Sequence, residues 1–428
     1  MKKLTFVLFL VLAIGACSDK GKDKNTTNME HNKNDAVLES ALLDIMEKHQ
    51  LLGLSVLIVR QNEITFEGNY GKANLKSNLE ISEETMYRVA SISKSVTATA
   101  LMILFERGFF DLDDDINQYL GFKVRNPRYP EKPITFRMLL SHTSSLVDGE
   151  GYGNFLGDIF IKDIFLKDLL LADGIYYTDD MFLDHEPGTY FTYSNVAWGL
   201  IGCLIEEISG QRFDVFCEEN IFEPLAMEAV YNNVWDIENI ANLATLYRTN
   251  SGQWVPQVDD FVGKEPRARD LSQYLPGSNA VIFGPQGGLR CSAKDLAKFM
   301  LMHLNNGIFE GTRILNDTTV VQMHKNQWKY ESDNGDHHDK LMQAWGLGFH
   351  LTNNGEKEDV VFPDVKMVGH PGEAYGLISG MYFDKVKKNG VIFMTNGSQE
   401  DFQVAEGSAF YQLEHDIYEH VFTYISTN

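Results

Sequence analysis

The sequence predicts an α/β (α+β) fold: an antiparallel sheet built from both ends of the chain, flanked by N- and C-terminal helices, with a mostly helical lobe inserted at roughly residues 110–280. Two observations carry this expectation. A helix and then a hairpin can be read near the start, and a hairpin and then a helix near the end, so the two ends make one sheet together. The stretches between them read mainly as helices.

Taken in order, the chain opens with Lys2 and Lys3, an apolar run from Leu4 to Ile14, and then Gly15, Ala16 and Cys17. A basic start, a short apolar run and small residues mark an export signal. The cysteine makes it resemble a bacterial lipoprotein signal, in which Cys17 becomes the lipidated first residue of the mature chain. The expected division is a signal peptide over 1–16, a tether over 17–36 and one folded domain over 37–428. Ser18 to Asp35 are almost wholly polar and too poor in apolar side chains to fold alone. The expected address is therefore the bacterial cell envelope, lipid-anchored on its periplasmic or cell-surface face, with the membrane as partner through Cys17.

Leu38 to Lys48 has helical periodicity, and Leu54 to Arg60 and Glu63 to Tyr70 read as strands around a Gln61-Asn62 turn. Tyr87 to Gly108 (YRVASISKSVTATALMILFERG) begins extended and becomes a helix that stops at Gly108. Val196 to Ile208 reads as an amphipathic helix. Leu377 to Phe383 and Val391 to Met394 flank Lys385 to Gly390, where Asn389-Gly390 is a turn signal, and Ala409 to Ile425 is again helical.

Apolar residues make up 44% and charged residues 23% of the 428, a globular composition. A net charge of -23 with scattered lysines and arginines speaks against a nucleic-acid partner. No cofactor is expected: there is no dinucleotide fingerprint, and Gly284 to Gly288 lacks the strand and spacing of one. Cys203, Cys217 and Cys291 have no metal spacing and are expected as buried thiols. The adjacent histidines of Asp336 to Asp339 lie in a polar loop, and no metal site is expected there.

The chemistry is carried by three short segments. Ser91 and Lys94 share one face at the start of their helix, so an amine can reach the hydroxyl; desolvated, it can take the proton that makes serine a nucleophile. Alone the pair is weak, since a chain of this length contains roughly one S-x-x-K by chance. Tyr193 and Asn195 form a Y-x-N in Pro187 to Asn195 (PGTYFTYSN). The strings Tyr152 to Asn154 and Tyr231 to Asn233 also fit, but only the Tyr193 copy follows a Pro-Gly turn and precedes a helix. The third segment is Gly369 to Glu373 (GHPGE), just ahead of a strand.

In this order, YRVASISKS, Tyr193 with Asn195, and GHPGE resemble the class C β-lactamase and D,D-peptidase superfamily, the β-lactamase-related serine hydrolases. Ile134 to Ser145 and Gly287 to Phe299 extend the resemblance to roughly residues 38–425. It implies a β-lactamase/transpeptidase-like fold, with 37–428 as the catalytic domain and a small-molecule or peptide substrate. It implies Ser91 as nucleophile, Lys94 and Tyr193 as a coupled acid/base unit, and Asn195, His370 and Gly372 at the substrate. Backbone N–H groups of Ser91 and Glu373 would form the oxyanion hole, and His370 would face the site. The nearby ammonium is expected to lower the Tyr193 pKa.

The sequence departs from the pattern at His370 and Pro371, where a lysine and a hydroxyl would capture a substrate carboxylate. This favours an ester or amide over efficient β-lactam hydrolysis. Two alternatives stay open. If the aromatics between Asp148 and Tyr190 overhang the site, an apolar pocket would favour acyl transfer to an alcohol or amine. A non-catalytic penicillin- or peptidoglycan-binding lipoprotein is the other. The oligomeric state is not predicted.

Overall fold

The computed structural model describes residues 33–261, 264–352, 358–399 and 401–427. Cys17, the export signal and most of the tether lie outside the described residues. Nine strands form one sheet: β1 (Gly53–Arg60), β2 (Glu63–Asn74), β3 (Leu79–Glu80), β4 (Trp328–Lys329), β5 (Ala344–Trp345), β6 (His350–Leu351), β7 (Val368–Ala374), β8 (Leu377–Asp384) and β9 (Asn389–Thr395). Their spatial order is β4-β5-β6-β7-β8-β9-β1-β2-β3, every pair antiparallel. β1 and β9 join the two ends of the chain at the centre, with Leu54 opposite Thr395 and Val56 opposite Phe393.

Five helices position the site: α1 (Lys33–Lys48), α2 (Ser93–Glu106), α3 (Val196–Ser209), α4 (Ala293–Leu304) and α5 (Gln412–Thr427). α1 and α5 cover one face of the sheet, where Leu38, Leu42, Ile417 and Val421 bury Val56, Ile58 and Phe393. The alternate residues Leu57, Ile392 and Met394 point to the other face, into a larger core shared with α2, α3 and α4. Both faces are therefore dry, and β1 is buried almost throughout.

Several local expectations need adjustment. α1 begins at Lys33, inside the expected tether, and Asp35 accepts a hydrogen bond from the Tyr424 hydroxyl of α5 at 2.9 Å. Polar composition did not prevent a helix there because α5 supplies a partner. Gln61 and Asn62 are both left-handed, as a two-residue hairpin requires. In the second hairpin the bend falls on residues 385–388, with Lys388 left-handed, while Asn389 and Gly390 already belong to β9. Gly390 serves packing instead, since a Cβ there would meet the Met300 sulfur at 2.8 Å.

The inserted lobe is less helical than expected. Between residues 110 and 280, α3 is the one long helix among the described residues. Beside it lie short helices at Phe136–Leu140, Glu150–Asp158, Lys167–Leu170 and Phe213–Cys217, and a hairpin of Leu246–Asn250 with Gln253–Val258. Pro127, Pro130 and Pro133, and then Gly149, Gly151, Gly153 and Gly157, interrupt the apolar periodicity before it can build long helices. Cys203, Cys217 and Cys291 are buried free thiols.

Candidate active site

Ser91 lies in a 3₁₀ turn, Ala90–Ile92, that leads directly into α2. Ala90 is left-handed at φ 50°, a conformation that costs a residue with a Cβ about 1–2 kcal/mol. The surroundings hold it. Ser93 Oγ donates to the Ala90 carbonyl at 2.6 Å and accepts from Leu289 N at 3.1 Å, and Tyr87 and Arg88 pair with Cys291 and Arg290. At the other end α2 closes on Gly108, left-handed at φ 77°.

Lys94, in the first turn of α2, is fully buried. Its Nζ lies 3.0 Å from Ser91 Oγ, 2.8 Å from Asn195 Oδ1 and 2.6 Å from the Gln286 carbonyl. That carbonyl is aimed by its neighbours. Arg88 Nε binds the Gly287 carbonyl at 2.9 Å and Arg290 Nη1 binds that of Gly288 at 2.7 Å, with Arg290 itself anchored on buried Asp259. Burial pushes the Lys94 amine down to about 7, and the negative charge of Asp148 opposes part of that fall.

Tyr193 lines the cavity beside Ser91, and its ring lies 4.9 Å from Lys94 Nζ and stacks on His142 at 4.4 Å. Trp345 and His370 meet it edge-on at 5.9 and 6.2 Å. The expected lowering of its pKa does not occur: burial pushes the phenol up instead. Lys94, held down to about 7, is already neutral where a phenol titrates, so desolvation of the phenolate dominates.

Asn195 starts α3 and lies between Lys94 and a residue that the sequence did not single out. Asp148 accepts from Asn195 Nδ2 at 2.7 Å, from Asn195 N at 2.8 Å and from Val196 N at 2.8 Å. Its carboxylate caps the helix, a favourable place for negative charge. A cap supplied from 47 residues away leaves no local pattern to read.

β7 forms the opposite wall. Gly372 is required there, since a Cβ would meet Ser379 Oγ at 2.3 Å and the Val89 carbonyl at 2.7 Å. The strand can therefore lie against the Ser91 turn. Both Ile378 N and O bond Thr395 Oγ1 on the β9 side, so Glu373 and Ile378 are a non-hydrogen-bonded pair and the Glu373 N–H points to the open edge of β7. By the same alternation Pro371 has its nitrogen on that edge, where a missing N–H costs no ladder bond.

His370 does not face the cavity. It shares a sheet face with Gly372 but is fully buried beneath Tyr193 and Trp345, at 6.2 and 5.2 Å between ring centres. Burial first, and then Lys94, push its imidazole well below its ordinary range.

A cavity of about 480 Å³ opens over Ser91, lined by Tyr193, Asn195, Pro371, Gly372 and Glu373 together with Arg248, His338, Asp339, Tyr411 and Glu414. His338, Asp339 and Lys340 are all left-handed, a sharp turn that brings His338 to 6.0 Å from the Tyr193 ring. The polar loop of adjacent histidines is thus a wall of this cavity. The aromatics between Asp148 and Tyr190 are not: Tyr152, Phe155, Tyr176 and Phe182 are core, and Phe160 and Phe165 line a separate hollow.

A family model described as beta-lactamase matches residues 38–414. Penicillin-binding protein 4 of Amycolatopsis lactamdurans is 24% identical over 331 residues, 75% of this chain and 74% of that protein. Penicillin-binding protein 4* of Bacillus subtilis (strain 168) is 28% identical over 218 residues, 49% of this chain but only 45% of that protein's length. Among solved structures, D-amino acid amidase from Ochrobactrum anthropi SV3, complexed with L-phenylalanine amide, superposes with a TM-score of 0.65 at 22% identity, covering 92% of this chain and 99% of that one. This last likeness is one of fold.

Proposed function

As a member of the β-lactamase family, the chain is an enzyme of the serine-hydrolase kind, and we propose that it cleaves an ester or amide through an acyl group carried on Ser91. The observation that carries this reading is the environment of Lys94 Nζ. A neutral amine has two N–H donors and one lone pair. The donors are taken by the Asn195 and Gln286 oxygens, so the lone pair is left for the Ser91 hydroxyl at 3.0 Å.

In the reaction Ser91 Oγ bonds the substrate carbonyl carbon while its proton passes to Lys94. The N–H groups of Ser91 and Glu373 stabilise the resulting oxyanion. The carbon then releases the alcohol or amine, which takes up the proton held on Lys94, and water repeats the sequence to free Ser91. Tyr193, pushed up by burial, stays protonated beside Ser91. Asn195 keeps one amide hydrogen for the substrate.

An ester or simple amide is favoured over a β-lactam carrying a carboxylate. β7 offers neither cation nor hydroxyl at residues 370–373, and the cavity sets Glu373 and Asp339 against Arg248. The aromatic segment does not line the cavity and so gives acyl transfer no support, but the like-folded EstCE1, a hydrolase with promiscuous acyltransferase activity, keeps transfer as the second reading. Attachment to the cell envelope through lipid on Cys17 belongs to the same proposal, supported by the export-type start and the penicillin-binding relatives. Among the described residues no helix is long and apolar enough to cross a membrane.

The test is turnover of a short-chain aryl ester, a cephalosporin and a D-Ala-D-Ala peptide by one preparation. The ester should give the higher kcat/KM over the cephalosporin by at least about tenfold, roughly 1.4 kcal/mol of transition-state discrimination. A fast cephalosporinase would contradict the assignment.

A further inference from the structure

We propose that Asp148 is a positioning residue that fixes the side-chain amide of Asn195 with its oxygen, and not its NH₂, toward Lys94. The inference rests on the reading of Ser91 as nucleophile. An Asn amide can be turned over with almost no change in shape, so its orientation is decided by its partners. Asp148 Oδ2 accepts only and lies 2.7 Å from one end of that amide, which must therefore be Nδ2. The other end, Oδ1, then meets Lys94 Nζ at 2.8 Å.

Turned over, the amide would offer its NH₂ to Lys94 and draw on the lone pair that Ser91 needs. Asp148 is itself held by two backbone N–H groups of the α3 start, so its carboxylate cannot follow the amide. Facing Lys94 are Ser91, Tyr193, Asn195 and the Gln286 carbonyl. Farther off are the imidazoles of His142 and His370, both kept neutral by burial, and the carboxylate of Asp148. Asp148 thus also supplies the negative charge that partly offsets desolvation of the ammonium.

Asp148→Asn separates this role from helix capping, because an Asn oxygen can still accept from the backbone while its NH₂ now opposes Nδ2 of Asn195. The readout is the rate of Ser91 modification by a fluorophosphonate, followed by intact mass from pH 5 to 9, with folding checked by circular dichroism. The expected result is a folded protein labelled at least about tenfold more slowly at its plateau, with its acid limb moved to lower pH, since both the lost charge and the turned amide disfavour the ammonium. In the exchange Asp148→Asn with Asn195→Asp, an oxygen faces Lys94 again. The plateau rate should recover at least several-fold over the single variant, and the acid limb should move above that of the wild type.

A folded Asp148→Asn protein with wild-type rate and pH profile would overturn the proposal. So would a slow variant whose acid limb does not move and which the exchange does not restore, or one that fails to fold and is not rescued by the exchange. A wild type that takes no label at all would instead remove the assignment of Ser91.

Discussion

Lys94 is a fully buried amine, and that burial sets the pH range in which the site can work. Pushed down to about 7, it is neutral above that pH and an ammonium with no free lone pair below it. The kcat/KM for an ester should therefore rise with pH to a plateau, with its midpoint near 7. Tyr193, pushed up by burial, adds no loss until strongly alkaline pH. A profile flat from pH 5 to 9 would contradict Lys94 as base. Lys94→Arg should lower kcat/KM by about 10²–10⁴-fold, the usual contribution of a general base, because a guanidinium cannot give up its proton.

At this scale the sequence was a good guide to groups that are close along the chain. Ser91 and Lys94 are three residues apart on one helical turn, and Tyr193 and Asn195 share one loop. What it could not reach was set by chain crossings: Asp148 under α3, and the Gln286 carbonyl aimed by Arg88 and Arg290. His370 illustrates a second limit. Alternation along a strand says which face a side chain takes, not that Tyr193 and Trp345 will cover it.

Among the elements, β7 and the Ser91 turn form the decisive contact. Gly372→Ala would drive a methyl group toward the Val89 carbonyl and push the strand from the turn that carries Ser91. A displacement of about 1 Å at the reacting groups can cost roughly 10²-fold in rate. Ester turnover of this variant should fall by about that factor, and wild-type turnover would show that the contact is not needed. Hairpins and terminal helices were readable because the apolar period is regular there, although the bend of the second hairpin lies ahead of Asn389-Gly390. The lobe was not, since proline and glycine divide its apolar stretches into pieces whose form is decided by tertiary contacts.

Across the whole molecule, the two ends of the chain meet at the centre of the sheet and cover its far face, while Ser91 and Lys94 lie on the other side. Leu42 in α1 is fully buried in that remote layer. Leu42→Ala should lower stability by about 2–5 kcal/mol, read by urea denaturation, and leave the midpoint of the pH profile unchanged. Coupling of the two would contradict the division of labour between the layers.

The central claim is that Ser91 becomes covalently acylated. It is tested most directly by intact mass after incubation with a fluorophosphonate, for the wild type and for Ser91→Ala. One adduct on the wild type and none on the variant is the expected result; an unlabelled wild type, or equal labelling of both, would contradict it.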